Sequence, residues 1–296
     1  MSSPILQLKL IRSEEDSSKG VKNVAKGECS NWAAFQILKR CLDSEGDLTW
    51  IDAAQQLYEM MPASDLKESQ YSAKTQNLAH LIIEVSRITP YSHPSQDKLL
   101  KIVQHLMTSD RFVGTADLRV PYDGPLGATK VGQVYHYYWD APREEHGFKA
   151  HHYINFHAFL ARFVAWEASA GEGWLSWPLT TLESQLELPL EDRADALDTM
   201  TTSAPLFLLY ADQWLFGRVV LFSPASLEDS DTAGLSGDEI YSGPSYGLER
   251  WRYWRQTLKA RAEDNQLGDE ARRLALKAVD FMECLERNDP RLEGRE

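Results

Sequence analysis

Leu78, Leu81, Ile82, Val85 and Ile88 are spaced so that every one of them falls on one stripe of an α-helix. The same spacing returns along most of the chain. Ala34, Leu38, Cys41 and Leu42 make one stripe, and Leu99, Ile102, Val103 and Leu106 another. Ala271, Leu274, Ala275, Ala278, Met282 and Leu285 make the most regular. A helix with one greasy stripe must bury it against a neighbour. The sequence has no convincing strand pairs and no repeat of fixed period. The expected fold is therefore all-α: antiparallel helices in a bundle or a short helical array. Ile5, Leu6, Leu8 and Leu10 read as one short N-terminal strand or as a packed arm.

Punctuation supports these helices. Thr49 with Asp52 three residues on is a capping-box pattern, and Pro62 ends the helix it opens. The stretch TPYSHPSQ breaks the helix that holds Ile88. From Ala150 to Ala168, Phe156, Phe159, Phe163 and Trp166 share one face, with Ala158, Ala161 and Ala165 on a second. Helices are expected near 178–188 and over 191–202. Pro205 is expected to separate the latter from an apolar Leu206–Phe216 helix, with Gly217 as its cap. Residues 223–247, rich in Ser, Asp and Gly, read as a long mobile loop. Trp251, Trp254 and Leu258 share a face, and the last helix should start after Asp269 as N-cap and stop at Asp289-Pro290. Residues 1–29 are expected to be a flexible arm. Residues 30–296 then form a single domain whose halves, 30–107 and 134–288, are joined by the Gly- and Pro-rich 108–133 connection.

A formal net charge of −13 over 296 residues repels phosphate backbones and anionic lipid surfaces. No nucleic acid and no membrane are expected as partners. The window Ala204–Phe222 is interrupted by Asp212, Gln213 and Arg218, which favours a buried helix over a membrane span. The 3 cysteines, Cys29, Cys41 and Cys284, form no Cys-x-x-Cys pair and suit a reducing compartment. With no leader-like N-terminus, the expected address is the cytoplasm.

Chemistry is concentrated in YHYYWDAPREEHGFKAHHYINFHAFLARFVAW, residues 135–166, which holds five of the 8 histidines. His152 and His157 are too far apart along a helix turn to grip one ion, so no metal is expected. Asp140, beside Trp139, could meet a helix face carrying His152 and Asn155 as an acid–base pair. Arg162 lies among rings and wants a carboxylate or a ring face. Other motifs fail on context. Gly243-Pro244-Ser245-Tyr246-Gly247 has the nucleophile-elbow spelling, but no histidine follows residue 157, so it reads as a turn opening the Trp251 helix. Asp229, Asp231 and Gly234 fit the start of a calcium loop, but Ile240 stands where its glutamate is required. Glycine-rich phosphate loops are missing, and no cofactor is expected.

Several stretches carry a resemblance. They are HLIIEVSRITPYSHPSQDKLLKIVQHL at 80–106, INFHAFLARF at 154–163, APLFLLYADQWLFG at 204–217, LERWRYWRQTL at 248–258 and EARRLALKAVDFMECLE at 270–286. In their order the chain resembles a fungal family known only as a numbered domain of unknown function (three-six-three-two). The resemblance implies a fungal, cytosolic, helical protein without an assigned catalytic residue set. It also implies a setting in specialised-metabolite biosynthesis, because relatives occur in such gene clusters.

Two functions remain open at this point. One is a helical protein that binds a small apolar metabolite or a partner protein. The other is a cofactor-independent enzyme, an isomerase, cyclase or hydrolase. In the enzyme, His152 and His157 act as acid and base, Asp140 orients them and Arg162 stabilises an anion. Tyr138, Trp139, Phe159 and Trp166 line the pocket in that reading.

Overall fold

The computed structural model describes residues 6, 8, 31–61, 78–79, 81–109, 150–170, 176–188, 197–221 and 241–292. Among them there is no strand, and the fold is all-α. The chain divides into two compact units, Met1–Phe156 and His157–Glu296. All but the first two residues of the 108–133 connection, and the 223–240 part of the acidic loop, lie outside the described residues.

In the first unit, α1 (Asn31–Leu42), α2 (Trp50–Met60) and α3 (Ser95–Met107) pack on one another. Thr49 caps α2 as its spacing predicts, its side chain accepting the Asp52 N–H. The stripe Ala34, Leu38, Cys41 and Leu42 is buried throughout. Residues 81–88 are helical, and the turn that follows is stitched by two amides. Gln96 donates to the Ser86 and Thr89 carbonyls at 3.0 and 2.7 Å. Asn155, on α4 (Ala150–Ala170), accepts from the Tyr91 N–H and donates to the Arg87 carbonyl, both at 2.8 Å. Leu6 and Leu8 dock against the end of α1, as a packed arm.

In the second unit, α6 (Leu197–Phe216) packs on α5 (Ser176–Leu186) and on α8 (Asp269–Asn288), and α7 (Leu248–Ala262) packs on α8. The expected break at Pro205 is not there: α6 runs through it. Proline removes one backbone donor, and burial of Thr199 through Leu208 holds the helix together across the gap. The chain breaks instead at Asp212, with φ 43° and ψ −132°. Gly217 does not end the helix either; it opens a π-helical turn, Gly217–Leu221. Asp269 is the first helical residue of α8 rather than its cap. The Asp198 carboxylate, from the start of α6, takes the Gly268 N–H at 2.8 Å.

Candidate functional site

Asp140, Tyr138 and Trp139 lie outside the described residues. The other expected site residues lie on α4. His152 belongs to the first unit, is 6 % exposed, and packs its ring edge-on against His151 at 4.4 Å. Asn155, expected to face Asp140, has its amide engaged by the Tyr91 and Arg87 backbone.

His157, Phe159, Arg162 and Trp166 belong to the second unit. His157 is buried, at 2 % exposure. Phe159 stacks on Phe163 at 6.5 Å between centroids, and Phe163 tilts against Trp166 at 5.9 Å. This ladder runs from two buried rings to a half-buried tryptophan. The Arg162 guanidinium lies 3.7 Å from the centroid of the half-buried Tyr210 ring. Such a contact is electrostatic attraction between a cation and the negative ring face. Arg162 also donates to the Ala158 carbonyl one turn back, at 3.2 Å.

A second cluster, for which the chain's histidines and motifs gave no pointer, sits where α5 ends against α7. Arg250 is 4 % exposed and Glu187 is 1 % exposed. The guanidinium grips the carboxylate at both oxygens, and Nη2 also reaches Glu183. Trp254 donates its indole N–H to the same Glu187 carboxylate. Burial is the largest single influence and opposes the Arg250 charge, but the bonds and attraction of Glu187 and Glu183 together outweigh it and hold the pKa above its ordinary value. Further along α7, Arg261 donates to the Gln185 carbonyl at 2.7 Å, at the C-terminal end of α5. That end carries partial negative charge, which suits a buried cation. Burial pulls the Arg261 pKa down to about 10, so it stays charged at neutral pH. Residues 250, 254 and 261 follow helical spacing, and Glu183 and Glu187 are one turn apart. Those spacings were the available signal.

The Gly-x-Ser-x-Gly stretch is part of this same scaffold. Arg250 Nη1 donates to the Ser245 carbonyl at 2.6 Å, and Tyr241 donates to the Pro244 carbonyl at 3.1 Å. Burial first, then Glu249, pushes the Tyr241 hydroxyl up to about 12. Gly247 adopts φ +115°, a left-handed conformation that favours glycine, and its N–H donates to the Val219 carbonyl at 2.7 Å. It is therefore the turn that opens α7. Trp251 and Trp254 are both fully buried on the expected face.

Some polar atoms are buried without a partner among the described residues. They include the Thr201 and Ser203 hydroxyls on α6 and the Trp251 indole N–H on α7. No group of three or more His, Cys, Asp or Glu among the described residues is placed to hold a metal ion. Burial pushes the Cys41 thiol pKa up, away from the reactive thiolate. No described helix is long and apolar enough to cross a membrane.

These observations define an all-α protein whose second unit holds a buried Arg250–Glu187 ion pair and carries a ring ladder on the helix whose Arg162 lies on a ring. Residues 80–258 match the family described as "Protein of unknown function (DUF3632)", over more than half of the chain. The chain belongs to that family. No curated protein and no solved structure matches it.

Proposed function

We propose that this chain is a soluble, cytoplasmic fungal protein that works by binding, and that its ligand is a small apolar metabolite of specialised biosynthesis. The observation that carries this reading is the Phe159–Phe163–Trp166 ladder, which passes from buried rings to a half-buried one beside Arg162 on Tyr210. Rings of that kind offer a face on which a flat, apolar molecule stacks. The Arg250–Glu187–Trp254 cluster supports the same reading, because its ionisable groups are engaged with one another. The Thr201 and Ser203 hydroxyls, buried without a partner among the described residues, add support, since a polar atom of that kind can take a bond from a ligand. The biosynthetic setting rests on the family resemblance.

The test uses the full chain and the apolar dye 1-anilinonaphthalene-8-sulfonate. Folded protein should bind the dye at a saturable site, and Trp166→Ala should weaken that binding at unchanged helicity. Unsaturable binding, or equal binding by the variant, overturns the reading. Deleting the gene and profiling metabolites tests the setting; an unchanged profile in a strain that expresses the gene counts against it.

The burial of His157 favours one second reading, a cofactor-independent enzyme with this imidazole as its acid–base group. It predicts that His157→Gln accumulates a precursor while dye binding survives. Binding alone predicts that profile and dye affinity change together.

A further inference from the structure

Leu6 and Leu8 are both buried, at 8 % and 2 % exposure. A single turn at the end of α1 takes up all of their main-chain polar groups. The Leu6 N–H donates to Ser44 Oγ at 2.7 Å, and the Leu6 carbonyl accepts the Ser44 N–H at 3.2 Å. The Leu8 N–H donates to Asp43 Oδ1 at 2.8 Å, and the Leu8 carbonyl accepts from Lys39 Nζ at 2.9 Å. Lys39 also pairs with Asp43, which fixes the carboxylate that receives Leu8. A sheet edge recognises an added strand by the same main-chain exchange. Here one helix end does so with two side-chain acceptors, one ammonium and one backbone N–H.

We propose that the Lys39–Ser44 turn is a receptor for a leucine-x-leucine segment, and that a second copy of this chain supplies that segment by arm exchange. The occupant seen is the chain's own residues 6 and 8, so another copy presents an identical ligand. Residues 9–30 join the arm to α1. A chain of that length spans up to roughly 70 Å when extended. The 12 residues of α1 run only about 18 Å. A segment of that length is long enough to reach the same turn on a second copy as well as on its own chain. The hydrogen bonds that break when an arm leaves one receptor form again on another, so concentration decides between the two. This inference is independent of the metabolite reading.

The test mixes two full-length variants. One has its arm disabled (Leu6→Ser with Leu8→Ser), and the other has its receptor disabled (Asp43→Ala with Ser44→Ala). Helicity matching the native chain is checked by circular dichroism. A pair that loses it is replaced by Leu8→Gln and Asp43→Asn. In sedimentation velocity each variant alone should be monomeric and the mixture should contain a heterodimer. A labelled peptide of residues 3–10 should bind the arm-disabled variant about tenfold or more tighter than the receptor-disabled one. Equal or undetectable peptide binding overturns the receptor. Selective peptide binding with a monomeric mixture overturns the second copy as occupant.

Discussion

The Arg250 guanidinium and the Glu187 carboxylate meet edge to edge, Nε to Oε1 at 2.7 Å and Nη2 to Oε2 at 2.9 Å. Both groups are buried, so each is the other's replacement for water. Removing one leaves a stranded charge. Arg250→Met should cost about 3–5 kcal/mol of stability. Adding Glu187→Leu to it should recover most of that loss, because the stranded carboxylate goes too. Urea unfolding of the native chain and the two variants by circular dichroism checks the sign of the recovery.

The Arg162–Tyr210 stack joins two half-buried side chains, so its worth is modest. A double-mutant cycle with Arg162→Gln and Tyr210→Leu should give a coupling of about 0.5–1 kcal/mol. Coupling at zero would mean that the two side chains ignore each other in solution.

Gly46 sits where the chain folds back over the end of α1. A Cβ there would lie 2.1 Å from the Arg40 carbonyl oxygen, which is backbone and cannot swing aside. Gly46→Ala should therefore destabilise the first unit by about 1–3 kcal/mol. The denaturation midpoint reports this directly.

Asp289 closes α8 and is gripped by Arg291 through Nε at 2.8 Å and Nη2 at 2.6 Å. The Arg291 side-chain bond lowers the Asp289 pKa from 3.8 to about 2. A depressed carboxylate favours the folded state above its ordinary pKa and loses that advantage as pH falls toward 2. Carboxyl carbon shifts in a pH titration should place the midpoint near the lower value. Arg291→Ala should bring it back toward the ordinary one.

Much of the fold was legible because burial imposes a period. The stripe ending in Leu42, the Thr49 cap and the face shared by Trp251, Trp254 and Leu258 all follow from spacing alone. Pro205 misled because the packing of its neighbours outweighs one missing hydrogen bond. Asp212 carried no warning, since nothing in YADQW marks a positive φ. The ionic cluster was half legible. The Glu183 and Glu187 spacing and the 250, 254, 261 spacing are written in the chain, but only three-dimensional packing brings the two rows together. The histidines drew notice by their number, yet number says nothing of where each ring lies.

One bond, from the Gly247 amide to the Val219 carbonyl, ties a neck in the chain. Everything between those two residues leaves and returns through a gap of hydrogen-bond width. The ends meet whatever the number of residues between 222 and 240, and the entropy of closure grows slowly with length. Natural relatives can thus differ in size at this place without disturbing α6 or α7, and a reporter domain could be spliced in there.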